Sequence, residues 1–209
     1  MPVRALNQHF LDNAAILARC VRWLELAVIG LNLCPFAKSV HVKNQILWRI
    51  SYAQEPEQVA VELEQLLQEL DSIDPEKSDT AVLVLPWALS DFADYNDFLN
   101  DADRLLESTD FDGVFQIASF HPDYCFVDSQ PTDLSNATNQ APYPLLHVLR
   151  EASVTRVADN NPDIGKIIER NQVKLKSIGR SGWLAIREQF HGEMHITDGL
   201  SWLTGNSRR

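Results

Sequence analysis

Two histidines in this sequence stand close to carboxylates. His121 lies in Phe-His-Pro-Asp-Tyr (residues 120–124), two positions before Asp123; His147 lies in Pro-Tyr-Pro-Leu-Leu-His-Val-Leu-Arg-Glu (142–151), four before Glu151. Histidine titrates near neutrality, so a ring oriented by a carboxylate can serve as general acid or base. In such a site His121 or His147 moves the proton, and Asp123 or Glu151 orients the ring. Arg150, Arg170 and Tyr143 are the candidates for holding an anionic group. Cys34, in Leu-Cys-Pro-Phe, adds a thiol that becomes a nucleophile only if a cation or a helix N-terminus lowers its pKa. Lys38 is the local cation, while Leu33 and Phe36 favour a packed, neutral, slowly alkylated thiol. The plainer alternatives stand beside these. His121 can bond to backbone in a turn before Pro122, Asp123 can cap that turn, and Arg150 and Glu151 can pair with neighbours.

A histidine and a carboxylate one helical turn apart could also share a metal, completed by His121. No tight pair such as Cys-x-x-Cys or His-Glu-x-x-His is present, so no metal is assigned. The cofactor is unknown. The sequence leaves three classes open: a small-molecule enzyme working by general acid–base chemistry on a small anion, a metal site, and a non-catalytic ligand-binding or interaction module.

Positioning these groups requires a scaffold. Leu6, Phe10, Ala14, Leu17, Val21, Leu24, Val28 and Leu31 recur at three- and four-residue steps, which predicts a long N-terminal helix with Cys20 beside its stripe. Gly30, Asn32 and Pro35 mark its end. Residues 46–52 alternate and predict a strand. Glu55-Pro56 opens a helix striped by Val59, Leu63, Leu66, Leu67, Leu70 and Ile73. Residues 80–85 form an unbroken apolar run, as a strand buried on both faces does. Ser90 or Asp91 can cap the next helix, striped by Phe92, Tyr95, Phe98, Leu99, Ala102, Leu105 and Leu106. Residues 114–120 predict a third strand. The crossovers are helix-length, so all three strands are expected to be parallel, with Ala53, Trp87 and His121 on the carboxyl edge where open sheets bind ligands. Pro144 is expected to open a helix that buries Leu145, Val148, Leu149 and Ala152 and turns His147, Arg150 and Glu151 away. The five site residues would then share one pocket. The polar segment 127–143 is either a functional lid or a mobile insert. A last helix is expected over residues 166–177, stopped by Gly179.

The fold class is thus α/β: a parallel sheet of at least three strands from strand–helix–strand–helix–strand, covered by a long N-terminal helix and two C-terminal helices. Residues 1–185 form one domain, and residues 186–209 a tail, partly ordered at best.

The net charge of −11 is uneven: residues 55–112 carry 17 of the 29 acids and two bases, Lys77 and Arg104. An acidic total argues against nucleic acid as a partner, because phosphate neutralisation needs a basic surface. The basic stretch 166–187 reads as a solvated face, or as an attraction for a small anion. No apolar run reaches membrane-spanning length, and no secretory signal opens the chain. Three cysteines make no disulfide framework, so a reducing compartment, the cytoplasm, is expected. Oligomeric state is not legible.

Four motifs together resemble one family. They are Gly-Leu-Asn-Leu-Cys-Pro-Phe-Ala (30–37), Phe-His-Pro-Asp-Tyr (120–124), Pro-Tyr-Pro with its sequel to Ser153-Val154, and Glu169-Arg170-Asn171 with Gly179 and Gly182-Trp183. In combination they resemble the bacterial domain-of-unknown-function family 1415, over roughly residues 10–185. The resemblance implies no activity. Cys125 stands where the family commonly has glutamine, and Gln140-Ala141 where it commonly has Arg-Ser. An anion held by that arginine would here depend on Arg150 or Arg170.

Overall fold

The computed structural model describes residues 3–160 and 164–191. Its centre is a four-stranded mixed sheet of β1 (Ile46–Ile50), β2 (Thr80–Val84), β3 (Phe115–Phe120) and β4 (Leu145–Arg150), in the spatial order β1-β2-β4-β3. β1 and β2 pair in parallel, and β4 runs antiparallel to both β2 and β3. β1, β2 and β3 therefore point the same way, but the sheet is not the purely parallel one expected.

The expected Pro144 helix is strand β4, wedged between β2 and β3. Residues 145–149 are largely buried, as a central strand covered on both faces must be. Such a strand reads as Leu-Leu-x-Val-Leu, and its apolar positions also fit a helical stripe; periodicity does not separate the two in so short a run. Helix begins only at α5 (Glu151–Asn160).

Two layers of helix cover the sheet. A short helix α2 (Ala37–Val42) precedes β1, and on one face of the sheet lie α3 (Pro56–Ser72) and α4 (Phe92–Ser108). Gln58 Oε1 accepts the Gln54 and Glu55 N–H groups at the start of α3, and Asp91 caps α4 by accepting from Ala93 and Asp94. Leu63, Leu66, Leu67 and Leu70 of α3 are fully buried against Ala81, Leu83, Leu146 and Val148. Each contributes about 2 kcal/mol of apolar burial. The other face carries Val82, Val84 and Leu145, packed with Ile16, Cys20 and Trp23 of α1 (Val3–Trp23) and with Leu175, Trp183 and Phe190 of α6 (Ile167–His191).

Gly179 breaks α6 with φ 65°, a left-handed backbone that suits glycine, and helix resumes beyond it. That second segment runs through residue 191 and buries Phe190, so this part of the expected tail is packed helix. Residues 192–209 lie outside the described residues.

After α1 the chain widens into a π-helical turn, Leu24–Ile29, in which Gly30 N–H reaches Glu25 O and Leu33 N–H reaches Val28 O. Gly30 has ordinary helical φ. Its constraint is space, because a Cβ there would stand 2.4 Å from Leu26 O. Asn32, at φ 55°, then turns the chain out toward Cys34. Gly30→Ala is expected to cost about 2 kcal/mol, since backbone must move to admit the methyl group. Urea unfolding measures this; an unchanged midpoint would show that the π turn relaxes freely.

Candidate functional site

The five residues expected to share a pocket are dispersed. His121 follows β3 and is 0% exposed. Asp123 N–H donates to its Nδ1 (3.0 Å), so the proton sits on Nε2, which donates to Leu89 O (3.2 Å). The ring packs against Phe92 and Tyr95, and burial holds its pKa below the ordinary value. His121 is a neutral strut joining two loops, and no ring nitrogen is left for a substrate. The Asp123 backbone serves that turn, while the residue itself is exposed.

His147 faces the opposite side of the sheet, toward Phe120, Trp23 and Val82. Its Nε2–H donates to Thr80 Oγ1 (2.7 Å), whose hydroxyl donates to Val148 O (2.5 Å). Burial lowers its pKa to about 4. Arg150 pairs opposite Phe115, at the far end of β3 from His121. Five strand residues separate those ends, about 16 Å. Its guanidinium donates to Leu70 O and Ile73 O, closing the C-terminus of α3, and lies 5.3 Å from the Phe115 ring centroid. The Glu151 backbone N–H donates to Val114 O at that same far end. In a strand, His147 and Glu151 stand about 13 Å apart along the chain, not one helical turn. Arg170 is exposed on α6, and Tyr143 is half-buried, where burial raises its pKa against the pull of Arg19. Among the described residues no group of three His, Cys, Asp or Glu side chains could hold a metal ion, and no helix could cross a membrane.

Cys34 does sit at a cleft. A hollow of about 480 Å³ opens between the π turn, the segment 126–139 and the first turns of α6. Val28, Leu33, Phe120 and Phe126 give it apolar walls; Cys34, Thr138, Asn139 and Asn171 add polar groups. The Phe36 and Ala37 N–H groups pull the Cys34 pKa down, yet burial dominates and raises it. Cys34 is half-buried, and at neutral pH its thiol is neutral.

The 127–143 segment is a fixed wall of this cleft. Buried Asn136 organises it: Oδ1 accepts from Phe126 N–H (3.1 Å) and Ser129 Oγ (2.6 Å), and Nδ2 donates to Gln130 O (2.8 Å). Asn139 Nδ2 ties it to Ser119 O. Gln140 takes indole N–H groups from Trp23 on its carbonyl and Trp183 on its side chain, so it works as a structural clasp.

Asn171, the last residue of the Glu-Arg-Asn motif, ties the cleft together. It lies on α6, 7% exposed, one helical turn before buried Leu175. Its Nδ2 donates to Leu33 O (2.8 Å), holding the Cys34 loop against α6. That bond fixes the amide's orientation and leaves Oδ1 buried without a partner. A polar residue on the apolar stripe with Leu175 and Ile178 was the available signal.

A wider groove of about 800 Å³ lies between the start of α3 and α4, at the carboxyl ends of β1 and β2. It is open and carries Glu55, Asp91, Asp94, Asp97 and Asp101, beside the stacked rings of Tyr52 and Trp87. Solvated carboxylates on helix faces are the ordinary state of an acidic surface.

No curated protein and no solved structure matches this chain. Residues 15–185 match the model of the family described as protein of unknown function DUF1415, a span that contains all four strands, Cys34, Asn171 and the walls of the cleft. The chain belongs to the DUF1415 family.

Proposed function

We propose that this protein binds a small organic molecule in the Cys34–Asn171 cleft, as a ligand-binding module. The carrying observation is the hollow of about 480 Å³ itself, walled by Val28, Leu33, Phe120 and Phe126 with the half-buried Cys34 on its lining. A concave, mostly apolar hollow held by packed elements is the kind of site in which a small organic molecule buries its surface. Histidine acid–base chemistry draws no support from the geometry, since His121 and His147 face opposite sides of the sheet.

Cys34 is the reporter. A neutral thiol reacts slowly, so iodoacetamide labelling at neutral pH is expected to be slow and to accelerate in alkaline buffer. Metabolite fractions from cells are then screened for protection of Cys34, with half-buried Cys125 as internal control. A fraction that slows Cys34 and spares Cys125 supports the binding reading. A Cys34 rate that no fraction slows relative to Cys125 would count against it. The place of Cys34 on the lining of the hollow favours a second reading, a nucleophilic thiol acting on the bound molecule. Rapid labelling at neutral pH would select that one.

A further inference from the structure

Resting on the cleft as a binding site, we propose that its ligand is an amphiphile with a short, unbranched alkyl end. The chain passes Cys34 and fills a second, smaller hollow behind it, while the polar head stays in the outer cleft.

The second hollow has a volume of about 50 Å³ and lies between the π turn and the sheet. Trp23, Ile46, Trp48, Val82 and Leu145 are among its walls. It shares Val28, Cys34 and Phe120 with the outer cleft, so the two hollows adjoin at those three side chains. Protein interiors leave few voids larger than a water molecule, and the walls of each forfeit contacts that an occupant restores.

The inner walls set the chemistry of that occupant. Cys34 and His147 are the only titratable side chains on them, and both are neutral at pH 7. His147 Nε2 is already bonded to Thr80 Oγ1. A charged end would lose its water there and meet no counter-charge, whereas a methylene chain gives up nothing by leaving water. Size narrows the class further. A cavity of about 150 Å³ holds a benzene ring, so about a third of that volume suits about two or three carbons of chain and excludes a ring. The outer cleft offers Ser129, Ser135, Thr138, Asn139 and Gln172 to a polar head. Among the described residues its lining holds no lysine or arginine, so the head is not an anion.

Three amides with a common head test this: hexanamide, its branched isomer 2-ethylbutanamide, and phenylacetamide. Binding is read by NMR from side-chain methyl shifts. Ile168 reports on the outer cleft, and Ile46 and Val82, which do not line that cleft, report on the inner hollow. Hexanamide is expected to move all three and to bind about tenfold tighter than its isomer, the gain from burying about two more methylenes. The isomer and phenylacetamide should move Ile168 alone. Val82→Ile adds a methylene to the inner wall. It should bring hexanamide down to the isomer's affinity and leave phenylacetamide unchanged; where that variant does not fold, the two isomers on the native chain decide. Equal affinities for the isomers, with Ile46 and Val82 unmoved while Ile168 responds, overturn the alkyl class and leave the cleft as a site. If no probe moves Ile168 at millimolar concentration, the binding reading fails, and the alkyl class with it.

Discussion

Replacing His121 by alanine is expected to destabilise the fold by about 4 kcal/mol, the largest single-residue effect argued for this chain. The imidazole meets two backbone groups at once, accepting from Asp123 N–H and donating to Leu89 O. Alanine leaves both unmet inside the protein and opens a hole between Phe92 and Tyr95. The Leu89 backbone sits at φ 54°, a left-handed conformation that strains a bulky residue. The histidine bond is one of the contacts that hold it there. Urea unfolding at pH 7.5 measures the loss. A loss below about 1 kcal/mol would mean the loops hold without the ring, and would return His121 to the list of functional candidates.

The second large effect is in acid. The His147 ring titrates near 4 in the folded protein, because burial disfavours its charge, against the ordinary 6.5 once unfolded. Above pH 6.5 the ring is neutral in both states and contributes no pH dependence. As pH falls from 6.5 toward 4, the unfolded chain takes up a proton that the folded chain refuses. Stability therefore drops across that window, by about 3 kcal/mol in all from this group. His121, also held below its ordinary value by burial, adds in the same direction. His147→Leu should flatten most of the slope. It should cost little at pH 7.5, since the Thr80 hydroxyl still donates to Val148 O. Unfolding free energies between pH 7.5 and 4 test this, and an unchanged slope in the variant would show that His147 is charged in the native state.

The elements that stand alone in the sequence were legible. The leucine stripe of α3, the Asp91 cap and the Gly179 break each rest on a local rule, and each is present. What failed depended on partners. Leu145–Leu149 becomes a strand because β2 and β3 offer hydrogen bonds on both sides, which five residues do not announce. Read as a helix, that segment sets His147, Arg150 and Glu151 on one face; as a strand it spreads them apart, and the expected pocket is not formed. The π turn left no periodic trace beyond Gly30. Cys34 was singled out for its thiol chemistry; its place at a cleft depends on α6, over 130 residues later, returning Asn171 to Leu33 O. The polar segment 127–143 looked unstructured because its organiser, Asn136, works through its side chain, and hydropathy patterns record no such bonds.

Crystals soaked with phenylacetamide test the binding site most directly. Density is expected in the hollow between Phe126 and Ile168, with the Cys34 sulfur nearby. Density confined to the acidic groove between α3 and α4, with the Cys34–Asn171 cleft holding solvent at saturating probe, would contradict the assignment.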